Sequence, residues 1–424
     1  MKILVVGGGG REHTIIWKLA QSPKAEKIYA APGNGGISQL AECVPIQATD
    51  IDGIVAFAKE KAVDLVMVAP DDPLVLGMVD ALEAAGIRAF GPRANAAILE
   101  GSKVFSKELM KKYHIPTAAY EVFTQSADAI AYVRAQNKFP AVIKAEGLAL
   151  GKGVIIAQNM QEAEAGIKSI MDDRQFGDSG SRVVIEEFLQ GPEVSVLAFT
   201  DGKTVVPMVS AQDHKRAYDN DEGLNTGGMG TFSPSRVYTP EIAAECMKTI
   251  FQPTVDAMAK EGRPFQGVLY FGLMITKTGV KVIEYNARFG DPETQVVLPR
   301  LKTDLVDIME AVIDRRLDEI QIEWADNAAV CVVLASGGYP VKYQSGYEIH
   351  GLNSTPDNVI VFHAGTKKDG EKFLTAGGRV LGVTAVSKDL DTAIRDAYQA
   401  VDRISFQDMH YRKDIGIKKE PQWT

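Results

Sequence analysis

Two oxygen-bearing side chains stand two positions apart in the segment KVIEYNARFGDPETQ. Because side chains alternate faces along a strand, Glu284 and Asn286 share one face at its end. A carboxylate beside a carboxamide suits Mg²⁺, which proteins hold with one or two side chains together with substrate phosphates. Arg288, Asp291 and Glu293 follow at once, so the segment predicts a site for metal-assisted phosphoryl or acyl transfer. The alternative for the pair alone is a surface strand end with solvated charges.

The first glycine run, GGGGREH, follows an apolar strand and opens a helix. Backbone amides at such a turn, aided by the helix dipole, bind anions. Glu12 occupies the third glycine position of the dinucleotide fingerprint, so we expect a phosphate or polar substrate rather than NAD. The alternative is a tight turn in which glycine serves packing. We interpret His13 as a packed or capping residue rather than a catalyst.

A second glycine run, KAEGLALGKG, connects two predicted strands. Lys144 can point from the first strand into a cleft. The run is not a P-loop, because neither Ser nor Thr follows Lys152 and the next element is a strand. We interpret it as a flap that closes over phosphates, and the alternative is a hairpin with an exposed lysine.

The segment VVIEEFLQGPEVS is an apolar strand with paired glutamates, followed by a loop acid. Such a strand can form an adenine hinge, in which backbone groups of Glu186 to Leu189 contact the base and Glu193 contacts the ribose hydroxyls. A pair of strand glutamates is more often one exposed acid and one paired acid, so this motif is weak by itself.

The segment AQDHKRAYDNDEGLNTGGMGTFSP places four charged or titratable residues, Asp213, His214, Lys215 and Arg216, ahead of a glycine-rich stretch. A long loop inside a compact domain is usually functional or disordered. The mixed charges and apolar residues of this segment favour order. We therefore interpret it, with a loop at Gly223–Gly230, as the substrate-binding loop.

The chain alternates strand and helix patterns that can position these motifs, which predicts an α/β fold. Residues 1 to about 100 predict a doubly wound domain, whose ligands lie at the carboxyl ends of parallel strands. Residues from about 118 to 192 predict a small α/β lid, and the last part an α+β domain. We expect domains at 1–102, 103–326 and 327–424.

Composition narrows the classes of partner. A chain of 424 residues exceeds what one hydrophobic core serves, and its net charge of −9 argues against nucleic acid or an anionic membrane. Cys43, Cys246 and Cys331 lack metal-type spacing, which predicts a reducing compartment. No apolar run approaches membrane-spanning length, and the first strand begins without a signal peptide. We therefore expect a soluble, cytoplasmic protein.

Taken in order, these segments resemble the ATP-grasp superfamily and, more closely, its glycinamide ribonucleotide synthetase family. The resemblance covers almost the whole chain, and its longer strings are specific. The strings that carry it include VVGGGGREH, LEGSKVFSKELM, VIKAEGLALGKGV, VVIEEFLQGPEVSVLAFTDG, AQDHKRAYDNDEGLNTGGMGTFSP, VIEYNARFGDPETQVVLPRL and GGRVLGVTA.

The resemblance implies an ADP-forming ligase of de novo purine (IMP) biosynthesis, with an ATP-grasp central domain. Its reaction would join glycine to 5-phosphoribosylamine at the expense of ATP, through a glycyl phosphate intermediate, with Mg²⁺ or Mn²⁺ as the metal. Such phosphoryl transfer needs charge neutralisation and alignment rather than a nucleophilic Ser or Cys. The implied partners are these small molecules, without nucleic acid or membrane. We expect a monomer that exchanges substrate or product with neighbouring enzymes of the pathway.

The resemblance also implies functional roles for individual residues of this chain. The implied ATP-binding residues are Lys103, Lys144, Gly151, Lys152, Gly153, Glu186, Glu187, Phe188, Leu189 and Glu193. The implied metal ligands are Glu284 and Asn286, and the implied catalytic residues are Arg288, Asp213 and Lys215. The implied substrate-binding residues are Gly9, Gly10, Arg11, His214, Arg216, Asn225, Thr226, Gly227, Gly228 and Asp291, of which the first three would meet the ribosylamine phosphate.

A few positions depart from the family pattern. The strand LYFGLMIT carries no second metal carboxylate, so metal binding would rely on ATP oxygens and water, or on Asp291 or Glu293. Asp71 stands where a glutamate is expected, Glu146 where an aspartate is, and Leu150 where an alanine is. None of these changes removes a phosphate-binding or metal-binding group.

Three other functions fit single motifs. A different ATP-grasp ligase or carboxylase would share Lys144, Glu186 and Glu284, but not the DHKR…NTGGMG or GGRVLGVT strings. A nicotinamide oxidoreductase is opposed by Glu12. A non-catalytic nucleotide-binding protein would keep the adenine hinge and lose the predicted metal ligands, which this chain retains.

Overall fold

The N-terminal part is a parallel sheet, because short apolar strands alternate with amphipathic helices there. The computed structural model describes residues 1–148 and 153–417. The elements of this part are β1 (Lys2–Gly7), α1 (Gly10–Leu19), β2 (Lys27–Pro32), β3 (Glu42–Cys43), α2 (Ile51–Glu60), β4 (Leu65–Val68), α3 (Asp71–Val75), α4 (Met78–Ala84), β5 (Arg88–Phe90) and α5 (Ala94–Gly101). The strand order β3-β2-β1-β4-β5 is the predicted doubly wound arrangement.

Both faces of this sheet are buried. Along β1, Leu4 and Val6 join one core with strands of the central region, whereas Ile3 and Val5 join a second core on the opposite face. The alternation follows from the two-residue period of a strand. The carboxyl end of β1, at Gly7, is therefore held rigidly next to the central region.

A small antiparallel unit follows the helix α6 (Lys103–Lys112) and has a core of its own. Its elements are β6 (Tyr120–Phe123), α7 (Ser126–Gln136), β7 (Ala141–Ala145), β8 (Val154–Ala157), α8 (Met160–Met171) and β9 (Val183–Glu187). The strand order is β6-β9-β7-β8. The strands and helices predicted for the lid are confirmed.

The central region is built on a four-stranded antiparallel sheet, ordered β11-β10-β16-β17. Its elements are β10 (Glu193–Asp201), β11 (Val205–Pro207), β12 (Gln212–Asp213), β13 (Arg216–Tyr218), β14 (Glu222–Asn225), β15 (Gly230–Ser233), α9 (Pro240–Cys246), α10 (Gln252–Lys260), β16 (Gln266–Thr276), β17 (Gly279–Asn286), α11 (Thr294–Val297) and α12 (Leu305–Ile313). A π-helical turn joins α9 to α10.

The last part is the predicted α+β unit. Its elements are β18 (Ala328–Ser336), β19 (Val359–His363), β20 (Thr366–Asp369), β21 (Lys372–Thr375), β22 (Arg379–Ser387), α13 (Leu390–Val401) and β23 (Met409–His410). The helix α13 packs on β18 and β22. No helix in residues 1–148 and 153–417 is long and apolar enough to cross a membrane.

The expected loop at Gly223–Gly230 is wrong in part. Its first residues form β14, which pairs with β13 as a hairpin, and its last residue begins β15. The strand β15 then pairs with β18, so the sheet of the C-terminal part runs β12-β15-β18-β22-β19. The sequence did not reveal this, because the partner strand β18 lies about a hundred residues away and strand pairing over that distance leaves no local pattern.

Phe271 on β16 tests how the central core supports β17. It is fully buried and contacts Phe251, at 4.5 Å between ring centroids, and Tyr285 of β17. Phe271→Ala should lower the free energy of unfolding by about 3–5 kcal/mol, because it removes these contacts and leaves a cavity. Urea denaturation measures the change. The matched control Leu76→Ala, at a side chain 61% exposed, should stay within about 0.5 kcal/mol of the wild type.

Candidate active site

The strand β17 carries the oxygen pair that the sequence singles out. Its register against β16 shifts so that Gly272 pairs with Glu284 while Leu273 pairs with Val282, which leaves Ile283 outside the ladder as a β-bulge. A Cβ at Gly272 would lie 3.1 Å from Glu284 Cγ. Glycine at this position therefore leaves room for the carboxylate at the edge of the cleft.

The bulge also fixes a lysine. The carbonyl of Ile283 accepts a hydrogen bond from Lys144 Nζ at 3.1 Å. The same ammonium lies 2.9 Å from Glu186 Oε1, and the other oxygen of Glu186 lies 3.1 Å from Lys107 Nζ. All three charged side chains are buried. Because an unpaired buried charge is costly, this chain of ion pairs holds Lys144 in one place.

A second lysine enters from the start of α6. Ser102 caps this helix, and Lys103 Nζ donates to the Gly147 carbonyl at 3.0 Å. Burial lowers the pKa of Lys103. Glu146, which directly follows β7, is held nearby, because its carboxylate accepts hydrogen bonds from Ser102 Oγ at 3.0 Å and from Arg182 Nε at 2.7 Å.

Of the three flap residues that are predicted to bind ATP, the structure describes one. Gly153 is described, and its carbonyl accepts a hydrogen bond from the amide of Ala145 at 2.8 Å. Gly151 and Lys152 lie outside the described residues. The assignment of these two residues to phosphate binding therefore stays a prediction.

The predicted adenine hinge lies where the lid meets the central sheet. The strand β9 ends at Glu187, whose Oε1 accepts from the Ala119 amide and from Lys281 Nζ, both at 3.0 Å. Phe188 is 38% exposed, and Leu189 is half-buried. The backbone from Glu186 to Leu189 thus borders the same cleft as Lys144.

The ammonium of Lys215 lies among carboxylates, on the side of the cleft opposite Lys103 and Lys144. Its Nζ is 3.3 Å from Glu193 Oε2 and 3.7 Å from Glu284 Oε1. Burial acts to lower the pKa of Lys215, but Glu193, Asp213 and Glu284 outweigh it and raise the value. Lys215 therefore stays charged, and it joins the predicted ribose acid to the predicted metal ligand.

The carboxylates of this cluster differ in pKa. Burial acts to raise the pKa of Glu284, but Lys215, Lys144 and Lys103 outweigh it and lower the value. Burial raises the pKa of Asp213 to about 7, with Lys215 opposing and neighbouring carboxylates reinforcing the rise. Glu284 is therefore ionised at neutral pH, whereas Asp213 titrates there.

Two residues of the DHKR string point away from this cluster. His214 Nε2 accepts from the Gly416 amide at 3.4 Å, and its ring packs on Phe232. Burial lowers the pKa of His214 to about 4. Arg216 donates to the Gly223 carbonyl at 2.8 Å within the β13–β14 hairpin. Their assignment as substrate ligands stays a prediction, because both side chains bond to backbone groups outside this cluster.

Arg288 lies beside the metal pair. Its Nη2 is 3.0 Å from Glu100 Oε1 and donates to Asn286 Oδ1 at 3.3 Å. The second oxygen of Glu100 accepts from the Ala287 amide at 2.6 Å. Burial raises the pKa of Glu100 to about 7, against the opposing effect of Arg288. The arginine is thus held at the edge of the cleft by the end of α5.

The first glycine run reaches the same region from the N-terminal sheet. The amide of Gly9 donates to Glu12 Oε2 at 2.6 Å, and the amide of Arg11 donates to Asp291 Oδ2 at 3.3 Å. The Arg11 guanidinium contacts Glu12 Oε1 at 2.6 Å and the Phe289 carbonyl at 3.2 Å. Two of the amides predicted to bind phosphate are thus engaged by carboxylates, which a phosphate would have to displace.

His13, which follows on α1, is a packed residue, as the sequence predicts. Its Nδ1 accepts from the His363 amide at 2.7 Å, and its ring lies against Phe362. Burial lowers the pKa of His13 to about 3.

The turn at Asn225–Gly228 lies against the DHKR strand. Thr226 donates to the Lys215 carbonyl from its amide at 2.7 Å and from its hydroxyl at 2.8 Å. The amide of Gly228 donates to Thr226 Oγ1 at 2.9 Å. Asn225 pairs with Arg216 across the hairpin. The cleft thus gathers the turn, the Lys215 cluster, Arg288 and Asp291 at one end, and Lys103 and Lys144 at the other.

The comparisons with known proteins agree with this architecture along the chain. Family models described as phosphoribosylglycinamide synthetase N domain, ATP-grasp (A) domain and C domain match residues 1–100, 101–294 and 329–418. The chain is 51% identical over 418 residues to the phosphoribosylamine–glycine ligase of Halalkalibacterium halodurans, covering 99% of this chain and 97% of that one. The ligase of Vibrio parahaemolyticus is 50% identical over 422 residues, covering 99% and 98%.

The chain belongs to the phosphoribosylamine–glycine ligase family. The family assignment and the fold class predicted from the sequence are therefore confirmed. The solved phosphoribosylamine–glycine ligase of Thermotoga maritima superposes with a TM-score of 0.85 at 33% identity, covering 98% of this chain and 100% of that one. The biotin carboxylase domain of Hydrogenobacter thermophilus 2-oxoglutarate carboxylase, solved with MgADP, shares the fold with a TM-score of 0.75 at 16% identity, covering 97% and 91%.

Sequence reasoning missed two charged residues of the site in this family member. Lys107 pairs with Glu186, and Glu100 pairs with Arg288. The spacing of Lys103 and Lys107 gave a usable signal, because residues four apart on a helix share one face. Glu100 left no such signal, since its partner is 188 positions away and only the fold brings the two together.

Glu284, one of the two predicted metal ligands, gives a direct test of the predicted metal site. Glu284→Ala should abolish Mg²⁺-dependent turnover and leave the fold near wild type, because the side chain is a third exposed and lies outside the apolar cores. Steady-state rates over a Mg²⁺ titration, with circular dichroism, measure both effects. Glu323→Ala, at an exposed surface pair with Lys302, is the matched control. Wild-type turnover of Glu284→Ala at limiting Mg²⁺ would refute the assignment.

Asp213 makes a prediction about pH. Its pKa in the folded chain, about 7, exceeds the ordinary value of 3.8, so its contribution to stability is lost as pH rises through that window. The unfolding free energy of the wild type, relative to Asp213→Asn, should therefore fall between pH 5 and pH 8. Urea denaturation at several pH values measures the difference. A flat difference over this range would show that Asp213 has its ordinary pKa.

Proposed function

We propose that this chain joins glycine to 5-phosphoribosylamine, with ATP as the energy source, to give glycinamide ribonucleotide, ADP and phosphate. One observation carries the proposal. In a chain 51% identical to phosphoribosylamine–glycine ligases over almost its full length, Lys144 is held between Glu186 and the bulge of β17, beside the edge that presents Glu284 and Asn286.

ATP would lie between the lid and the central sheet. The backbone from Glu186 to Leu189 would hold the adenine, and Glu193 the ribose hydroxyls. Lys103 and Lys144 would neutralise the phosphates, which phosphoryl transfer requires more than it requires covalent catalysis. The ordered ion pair between Lys144 and Glu186 supports this role, because it fixes the position of the ammonium in the cleft.

The metal would be Mg²⁺ or Mn²⁺, with Glu284 and Asn286 as its protein ligands. Their oxygens suit it, since Glu284 is ionised and both side chains sit on one strand face. Within the described ranges, no group of three or more His, Cys, Asp and Glu side chains could hold a metal. Two protein ligands fit an ion that also binds phosphate oxygens and water. When bound, such an ion neutralises charge on the transferred phosphoryl group.

The reaction would run in two steps. A carboxylate oxygen of glycine attacks the γ-phosphorus, the bond to the ADP oxygen breaks, and glycyl phosphate forms. The ribosylamine nitrogen then attacks the glycyl carbonyl carbon, the bond to the phosphate oxygen breaks, and the nitrogen loses a proton. Asp213 is suited to take that proton, because its pKa is about 7.

Cations would hold the reacting groups in place during these steps. Arg288 and Lys215 would orient the glycine carboxylate and the acyl phosphate. Gly9, Gly10 and Arg11, with Asp291 and the turn from Asn225 to Gly228, would bind the ribosylamine. The position of this turn, which hydrogen bonds to the Lys215 backbone, supports the assignment.

Other parts of the proposal concern the chain as a whole. We infer three domains at 1–102, 103–326 and 327–424, with a lid from about 118 to 192. We also infer a cytoplasmic monomer that exchanges substrate or product with neighbouring enzymes of purine biosynthesis. The net charge of −9 supports small-molecule partners over nucleic acid.

Isotope transfer tests the proposed chemistry. Glycine labelled with ¹⁸O in its carboxylate should pass one label to inorganic phosphate per turnover, because the glycine oxygen stays bonded to phosphorus when glycyl phosphate is opened. Mass spectrometry of the phosphate measures the transfer, and ADP release should require both glycine and ribosylamine. Bicarbonate in place of glycine is the control for a carboxylase. Unlabelled phosphate, or ADP release with bicarbonate, would contradict the proposal.

A further inference from the structure

Two side chains of the C-terminal part hydrogen bond to the turn at Thr226–Gly228. The hydroxyl of Tyr339 accepts a hydrogen bond from the Gly227 amide at 3.1 Å. Arg379 Nη1 donates to the carbonyl of the same glycine at 2.8 Å. The backbone amide and carbonyl of Gly227 thus both hydrogen bond to side chains of the C-terminal part.

Arg379 also reaches the loop after β17. Its Nη1 donates to the Asp291 backbone carbonyl at 2.9 Å and lies 3.5 Å from Asp291 Oδ1. The other carboxylate oxygen of Asp291 accepts from the Arg11 amide at 3.3 Å. One guanidinium therefore joins the turn to Asp291, and through it to the N-terminus of α1.

The fit around this guanidinium is close. A Cβ at Gly227 would lie 2.8 Å from Arg379 Cζ, and one at Gly228 would lie 2.4 Å from Pro292 Cδ. Gly228 also has a φ of +119°, which an L side chain rarely adopts. The two glycines are therefore required for the turn to approach Arg379 and the Asp291 loop this closely.

The sheet fixes both ends of the contact. β15 follows the turn and pairs with β18, and Arg379 is the first residue of β22, which pairs with the other edge of β18. The amide of Val333 on β18 also donates to the Met229 carbonyl at 3.1 Å. The turn and the arginine are thus held by one continuous sheet, and they cannot separate without breaking it.

We propose that Arg379, with Tyr339, is a positioning residue for the ribosylamine half of the site. It holds the 226–228 turn and Asp291 in the arrangement that binds this substrate. The inference rests on the proposed function and extends it to residues of the C-terminal domain. The lysines of the ATP half are held by other groups, Gly147, Glu186 and Ile283. Loss of Arg379 should therefore affect ribosylamine and spare ATP and glycine.

Two reactions of the full-length chain separate these halves. The complete ligation needs ribosylamine, whereas hydroxylamine can trap glycyl phosphate as glycine hydroxamate with ATP and glycine alone. Arg379→Met should raise the KM for ribosylamine roughly 10- to 100-fold, because bonds from a charged donor are lost. The rate of hydroxamate formation and the KM values for ATP and glycine should stay within about twofold of wild type, since the ATP half is intact.

Further variants sharpen the test. Arg379→Lys should recover part of the ribosylamine affinity, because an ammonium can reach one of the carbonyls. Tyr339→Phe should raise the same KM by a smaller factor, roughly threefold to tenfold, since it removes one neutral hydrogen bond. Arg395→Met is the matched control, because Arg395 is an exposed arginine on α13 of the same domain. These milder changes also keep the test available if Arg379→Met does not fold.

The outcomes distinguish the possibilities. A raised ribosylamine KM with unchanged hydroxamate formation supports the inference. A parallel fall of both reactions in Arg379→Lys and Tyr339→Phe overturns it, because a general structural role would affect both halves. An unchanged ribosylamine KM in all the variants overturns it as well. Failure of the proposed function would instead be seen in the wild-type chain, as no release of ADP that depends on both glycine and ribosylamine.

Discussion

The Lys215 ammonium lies among Glu193, Glu284 and Asp213, and this balance of charge is the constraint on which the site depends. Carboxylates gathered at one edge of a cleft repel one another unless cations lie between them. Lys215 meets this need from one side, and Lys144 and Lys103 from the other, so that Glu284 stays ionised. Burial raises the pKa of Asp213 to about 7, against the opposing effect of Lys215. Two carboxylates of one cluster thus differ in pKa, which suits them to the separate roles proposed for them, metal ligand and proton acceptor.

Backbone irregularity gives this cluster its geometry. The bulge at Ile283 turns one carbonyl toward Lys144, and the glycine opposite, Gly272, leaves space for the Glu284 side chain. Buried pairs such as that of Lys144 with Glu186 then prevent the ammonium from swinging away. At the other end of the cleft, Arg379 joins the 226–228 turn to Asp291. The lysine end is therefore ordered by contacts within residues 103–326, and the other end by contacts that reach the C-terminal part.

Much of this arrangement could be read from the sequence, for reasons specific to each feature. The E-x-N pair and the lid strands follow local periodicities, so the strand positions of Glu284, Asn286 and Lys144 could be predicted directly. The orientation of His214 could not be found in this way, because it depends on contacts with Phe232 and with the Gly416 amide of the C-terminal part. The roles of Glu100, Arg379 and β15 were equally hidden, since each depends on a partner more than 90 residues away. Sequence patterns report local structure, whereas these features arise from packing between domains.

The position of the metal tests the central claim most directly. Crystals grown with ADP and Mn²⁺ allow the ion to be located from its anomalous scattering, without reference to the protein coordinates. The account predicts one peak within coordination distance of the Glu284 and Asn286 oxygens and next to the nucleotide phosphates. A peak bound to the nucleotide but remote from both side chains would contradict it.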